Sequence, residues 1–172
     1  MSSSADALER ARAVRLAVFD VDGVMTDGTL YIGAQGEALK AFNILDGHGV
    51  KMLQSEGIAT AIISGRSSEA TARRAAELSI AHLVQGSSDK LAAFEKLRAS
   101  LGVDASACAF MGDDLPDLPV MRACGFAVSV PNGCEEVRAA AHYVTRAAGG
   151  RGAVREFCEL VLRAQGRGGR AS

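Results

Sequence analysis

Apolar positions along the chain fall into short unbroken runs, and the segments between them carry apolar residues at helical spacing or are punctuated by glycine. The first run, Leu16 to Val24, reads as a buried strand that carries Asp20 and Asp22 at its end and stops at Gly23. Ile58 to Ile63, His82 to Gln85, Ala107 to Met111, Phe126 to Val130 and Tyr143-Val144 read as further strands. Runs without polar alternation suit strands covered on both faces, as in parallel sheets. Helices are expected over Asp46 to Glu56 (stopped at Gly57), Ser67 to Leu78, Asp89 to Leu101, from after Gly112-Asp113-Asp114 to Cys124, Cys134 to Ala140, and Arg151 to Ala164. Strands alternating with helices predict an α/β fold, a Rossmann-like three-layer sandwich around a mostly parallel sheet.

Thr26 to Asn43 breaks this pattern. Thr29 to Ile32 and Glu37 to Phe42 alternate around Gly33-Ala34-Gln35-Gly36, which predicts a β-hairpin inserted before the next helix. A lone hairpin is marginal in water, so Tyr31, Ile32, Leu39 and Phe42 need a partner surface, and another subunit would supply one. Residues 1–14 read as a weak helix or a frayed arm, and 166–172 as a flexible tail. The 172 residues are expected to form one domain.

Composition narrows the function classes. Hydrophobic residues make up 48% of the chain but aromatics only 5%, which describes an aliphatic core of the kind parallel sheets use. A net charge of −1 speaks against a nucleic-acid partner, so any anion site must be local. Cys108, Cys124, Cys134 and Cys158 lack C-x-x-C spacing and sit in apolar or helical surroundings, which implies buried, reduced thiols and a cytoplasmic location. Met1 to Arg15 contains no apolar leader-like run, and nothing approaches the roughly 18 apolar residues of a membrane span, so a soluble, unexported protein is expected.

Polar residues gather where the strands end: Asp20 and Asp22 after the first, Ser64 after the second, Lys90 at the start of a helix, and Asp113 and Asp114 after the Ala107 to Met111 strand. Side chains two apart on a strand share a face, so Asp20 and Asp22 crowd one volume, which is costly unless a cation lies between them. Mg²⁺ takes oxygen ligands from one or two carboxylates and keeps several waters, which suits Asp20 and Asp113 with the backbone carbonyl of Asp22. Asp20 can attack phosphorus, and Asp22 can protonate the leaving alcohol and then activate water. Ser64 and Gly65, just ahead of a helix, can hold phosphate oxygens, and Lys90 can neutralise them. Taken singly, each residue has a plainer reading as a cap or a solvated side chain. Their order and strand-end placement together point to a phosphate-monoester hydrolase.

These residues resemble the motifs of the haloacid dehalogenase-like phosphohydrolases, present here as Asp20-Val21-Asp22-Gly23-Val24, Ile63-Ser64-Gly65-Arg66, Lys90, and Gly112-Asp113-Asp114-x-x-Asp117. The resemblance implies Asp20 as nucleophile, Asp22 as acid/base, Ser64 and Lys90 as phosphate binders and Asp113 as an Mg²⁺ ligand. It also implies that Asp114 and Asp117 order metal water and Lys90. Many members carry a cap domain after the first or second motif, and neither gap here has room for one. The site would then stand open unless a neighbouring subunit covers it.

A narrower resemblance runs from about Arg15 to Gly166, through Lys40-Ala41-Phe42-Asn43, Asp46-Gly47, Tyr143-Val144-Thr145 and Gly149-Gly150-Arg151-Gly152-Ala153-Val154-Arg155-Glu156. It is to the 3-deoxy-D-manno-octulosonate 8-phosphate phosphatase family, whose capless subunits form a homotetramer through the hairpin and act in lipopolysaccharide precursor biosynthesis. In that family a C-terminal tail can close over a neighbour's site. The resemblance implies a sugar-acid phosphate substrate, met by Lys51, Arg66 and Arg74 at its carboxylate and by Asn43, Asp46 and Gly47 at the sugar. Leu45 stands where some relatives have arginine, so one charged contact is missing or replaced. A related phosphatase of a nine-carbon sugar acid 9-phosphate is the alternative within the same chemistry. A receiver-type signalling domain would also cluster aspartates, a hydroxyl residue and a lysine, but there the accepting aspartate comes from a middle strand. An inactive scaffold is a further alternative, although no motif position is lost.

Overall fold

In the computed structural model, which describes residues 4–167, the chain runs as α1 (Ser4–Ala13), β1 (Leu16–Phe19), β2 (Tyr31–Gly33), β3 (Gly36–Leu39), α2 (Ile44–Ser55), β4 (Ala59–Ile63) and α3 (Glu69–Glu77). It continues as β5 (His82–Val84), α4 (Lys90–Ser100), β6 (Cys108–Gly112), α5 (Leu118–Ala123), β7 (Phe126–Ser129), α6 (Glu135–Ala140), β8 (Tyr143–Val144) and α7 (Ala153–Ala164). Six strands pair in parallel in the order β5-β4-β1-β6-β7-β8. From β1 the chain first moves outward through β4 and β5, then returns to the other side of β1 for β6, β7 and β8. That reversal makes the carboxyl ends of β1 and β6 the switch point at which such sheets bind ligands.

The sheet separates two apolar layers. Ala17 and Phe19 of β1 face one layer with Val50, Leu53, Val154 and Phe157, whereas Leu16 and Val18 face the other with Ile63, Phe94, Phe110 and Met121. Burial of every β1 residue explains why that strand reads as a continuous apolar run. On the first layer, Phe157 of α7 meets Phe19 edge-on with ring centres 5.8 Å apart. Helices α2 and α7 approach closely because Gly49 has no side chain: a Cβ there would lie 3.1 Å from the Arg155 Cα. Within the expected N-terminal arm, α1 packs on α7 and buries Ala7 and Ala11.

Several boundaries shift for local reasons. Helix α2 starts at Ile44 rather than Asp46, because Asn43 Oδ1 accepts from the N–H groups of Leu45 at 2.8 Å and Asp46 at 3.3 Å. The single helix expected up to Cys124 is instead a 3₁₀ turn, Leu115–Asp117, followed by the short α5, with Pro116 and Pro119 each at a helix start. Helix α7 begins at Ala153 because Gly152, at φ 105°, is left-handed. The hairpin is real but shorter than expected, β2 and β3 forming a separate antiparallel pair with an irregularity between Tyr31 and Ile32. Tyr31, Ile32 and Leu39 are exposed, Ile32 to 65%. Phe42 differs from them: it packs against the main core, with the Arg74 guanidinium 5.9 Å from its ring centre, so it needs no second subunit. The expected tail from 168 onward lies outside the described residues.

Candidate active site

The carboxyl ends of β1, β4 and β6 and the start of α4 surround a cleft of about 330 Å³, lined by Asp20, Asp22, Ser64, Gly65, Arg66, Lys90, Asp113, Asp114 and Asp117, with Ser87, Ser88 and Pro116. Asp20 follows β1 directly, and its N–H still pairs with the Met111 carbonyl at 3.0 Å, so the sheet fixes its backbone. The chain then turns tightly: the N–H groups of Val24, Met25 and Thr26 all reach the Val21 carbonyl, and Thr26 Oγ1 accepts from Gly23 and Gly28. Gly23 has φ 91°, and a Cβ there would overlap the Asp113 carboxylate. The turn is also clamped from outside. Asn132 Nδ2 donates to the Gly23 carbonyl at 2.9 Å, while its Oδ1 accepts from Gly149 N–H at 2.8 Å.

Lys90 is 6% exposed, with Nζ 3.0 Å from Asp20 Oδ1 and 2.6 Å from Asp117 Oδ1. Asp117 is fully buried, and its second oxygen accepts from the N–H groups of Asp113 at 3.0 Å and Asp114 at 3.2 Å. Asp117 thus orders Lys90 and the loop after β6. Ser64 is buried at the end of β4, where its Oγ accepts from the Arg66 N–H at 3.3 Å.

Oxygens of Asp20, Asp113 and Asp117 lie within 4.8 Å of one another, close enough to share a cation. Both Asp117 oxygens are already engaged by Lys90 and the backbone, whereas Asp113 Oδ1 is buried with no hydrogen-bond partner. A hard cation held by Asp20 and Asp113 fits that unsatisfied oxygen. Without one the ionised carboxylates are penalised: burial, then Asp117, pushes Asp20 up to about 7 against the pull of Lys90. Burial, followed by Asp20, Asp117 and Asp114, pushes Asp113 up to about 8. For Lys90, burial pulls downward, but Asp20 and Asp117 outweigh it and its proton is held more tightly than usual.

Five residues that the family resemblance assigned to the substrate do not line this cleft. Asn43 is spent capping α2, and its carbonyl accepts from Arg74 Nη2 at 3.2 Å. Asp46 is 1% exposed and accepts from the backbone N–H of Arg155 at 2.8 Å and of Gly152 at 3.4 Å, which makes it a bond between α2 and the start of α7. Gly47 is buried beneath Arg74, where any Cβ would strike that guanidinium. Arg74 pairs with Glu77 at 2.8 Å, and Lys51 donates to Ser79 Oγ at 2.8 Å. Arg66 does line the cleft, with Nε 3.7 Å from Asp22 Oδ2. Sequence reasoning assigned no role to Glu37, Lys40 or Asn132, although Lys40 donates directly to Asp22.

Residues 78–157 match the family model described as haloacid dehalogenase-like hydrolase. The 3-deoxy-D-manno-octulosonate 8-phosphate phosphatase of Yersinia pestis is 50% identical over 160 residues, covering 93% of this chain and 86% of that protein. This chain belongs to the 3-deoxy-D-manno-octulosonate 8-phosphate phosphatase family. The member of that family from Escherichia coli K12 is 48% identical over 164 residues, 95% of this chain and 87% of its own. The crystal structure of the Moraxella catarrhalis family member, in complex with a magnesium ion, a phosphate ion and a KDO molecule, superposes with a TM-score of 0.94 at 47% identity, covering 96% of this chain and 95% of the other. Like these phosphatases, the chain is a phosphoric monoester hydrolase, on an α/β fold with a six-stranded parallel sheet and a separate small antiparallel hairpin.

Proposed function

We propose that the chain hydrolyses 3-deoxy-D-manno-octulosonate 8-phosphate to the free sugar acid and phosphate, using Mg²⁺ and an aspartyl-phosphate intermediate on Asp20. The observation that carries this reading is the Asp20 carboxylate at the switch point of the sheet, 3.0 Å from buried Lys90 and beside the unpartnered Asp113 oxygen. Relatives bearing that activity in their names reach 50% identity.

In this reading an Asp20 oxygen attacks phosphorus, and the bond from phosphorus to the sugar oxygen breaks. Asp22 gives its proton to that departing oxygen, then takes one from the water that attacks the aspartyl phosphate and releases Asp20. Ser64, Gly65 and Lys90 hold the phosphate oxygens, with Lys90 fixed by Asp117. Asp20, Asp113 and the Asp22 carbonyl are the residues that would hold Mg²⁺, which when bound offsets the negative charge of nucleophile and phosphate. Arg66, on the cleft wall, meets the substrate carboxylate.

We further read the reaction as a step of lipopolysaccharide precursor biosynthesis in the cytoplasm, on the family resemblance and on the free thiols of Cys108, Cys124, Cys134 and Cys158. Among the described residues no helix is long and apolar enough to cross a membrane. The assembly we infer is a homotetramer built on the exposed hairpin residues Tyr31, Ile32 and Leu39. Phosphate release from a panel of sugar-acid phosphates, with Mg²⁺ and with chelator, tests the reaction. Preference for a nine-carbon sugar acid 9-phosphate would overturn the substrate, and turnover in chelator would overturn the metal. In Arg66→Ala, specificity for the sugar acid should fall about 10-fold or more, with far less change on p-nitrophenyl phosphate, which lacks the carboxylate.

A further inference from the structure

The hairpin turns its polar side back onto the cleft. Lys40, just past β3, has a side chain only 2% exposed, and its ammonium donates to Asp22 Oδ1 while lying 3.2 Å from Glu37 Oε2. Glu37 also accepts from Ser68 Oγ, and its Oε2 is 3.4 Å from Arg66 Nη2. Arg66 closes the circuit through its Nε, 3.7 Å from Asp22 Oδ2. Charges alternate around this ring of Asp22, Lys40, Glu37 and Arg66. The two aspartates of the first loop therefore answer to different lysines, Asp20 to Lys90 and Asp22 to Lys40.

A buried ammonium is costly unless its partners are held in good geometry. Here Glu37 provides that hold, and Lys40 and Arg66 engage different oxygens of Asp22, which restricts the rotation of its carboxylate. Asp22 sits on a turn, its side chain 21% exposed on the cleft wall. Among the described residues no other hydrogen bond or ion pair restrains its side chain.

We propose that Lys40 is a positioning residue, which holds the Asp22 carboxyl group in line with the departing sugar oxygen, and that Glu37 keeps Lys40 and Arg66 in place for this. The proposal rests on the acid/base reading of Asp22. It gives the hairpin a catalytic task within its own chain, beside any contact its apolar face makes with another subunit.

A purely structural role for Lys40 would slow all substrates alike, whereas a role through Asp22 depends on how much the leaving group needs a proton. The test compares an alkyl phosphate, whose alkoxide must be protonated, with 2,4-dinitrophenyl phosphate, whose phenolate leaves without help. Lys40→Met should lower kcat/KM, which reports only the steps up to departure of the alcohol and not the later hydrolysis common to both esters, about 10-fold or more on the alkyl phosphate and less than about 3-fold on the dinitrophenyl ester. Lys40→Arg should recover part of the loss, and Glu37→Gln should show the same leaving-group pattern in weaker form. Asp22→Asn, run alongside, sets the size of the effect. Equal losses on the two esters, or no loss on either, would overturn the proposal while leaving the phosphatase reading standing. A flat leaving-group response in Asp22→Asn would overturn the acid/base assignment and the proposal with it. Should Lys40→Met fail to fold, Glu37→Gln decides by the same criterion.

Discussion

The carboxylate of Asp46 accepts a hydrogen bond from the backbone N–H of Arg155 at 2.8 Å, tying the first turn of α2 to the first turn of α7 across more than a hundred residues of sequence. Burial raises the proton affinity of Asp46, and the N–H groups of Arg155, Gly152 and Val154 work against that rise. Asp46→Ala would strand these buried donors and should cost about 1–3 kcal/mol of stability. Thermal unfolding should show it, while KM for the sugar acid stays within about 2-fold. An unchanged melting temperature with a large rise in KM would return Asp46 to the substrate.

Asp20→Asn should cut kcat by about 10⁴-fold or more, because an amide is a poor nucleophile. Its fold should survive, since the substitution also removes a charge that burial penalises. Circular dichroism and turnover together check this. Full activity in the variant would end the covalent mechanism.

Acidity and metal are linked. In the metal-free protein Asp20 and Asp113 ionise near 7 and 8, against a reference value of 3.8 that applies to the unfolded chain. Across that interval the folded state holds protons which the unfolded chain has released, so raising pH favours unfolding. In chelator, the melting temperature should therefore fall between about pH 5 and pH 8. Added Mg²⁺ should stabilise the protein by an amount that grows over the same range, because binding needs ionised carboxylates. A pH-independent Mg²⁺ shift would contradict this.

Gly23→Ala puts a Cβ into the space of the Asp113 carboxylate, on a backbone at φ 91°. If Asp113 holds Mg²⁺ as proposed, displacing its carboxylate should weaken Mg²⁺ affinity about 10- to 100-fold. Titration calorimetry on the variant reads the effect directly. Wild-type affinity would show that Asp113 is not a ligand.

Replacing exposed Tyr31 and Ile32 with charged residues should shift the mass in light scattering toward monomer. Asp20 chemistry on a minimal substrate should continue. A wild type that is already monomeric at micromolar concentration would remove the hairpin interface.

Much of the sheet was legible because strands buried on both faces advertise themselves as unbroken apolar runs, as Leu16–Phe19 and Cys108–Gly112 do. The residues at their ends were legible too, since a carboxylate directly after such a run has few places to go. Contacts made by long side chains across irregular backbone were not. Lys40 reaches Asp22 only because the hairpin folds back, and no periodicity encodes that direction. Asp46 stands at the expected start of a helix, and only the family resemblance turned it toward a ligand. Its partner, the start of α7, is adjacent only in the folded chain. Pro116 and Pro119 do carry a local signal for the broken helix after β6, each standing at a helix start.

The position of α7 in the chain sets when folding can finish. Val154, Phe157 and Val161 cover the face of the sheet that carries Phe19, and α7 also supports α1 and α2. More than a hundred residues separate β1 from α7, so on a ribosome Phe19 and its neighbours emerge well before their final cover. The nascent chain therefore has to carry an exposed apolar sheet face until α7 has emerged, and its need for chaperone protection is concentrated in that interval.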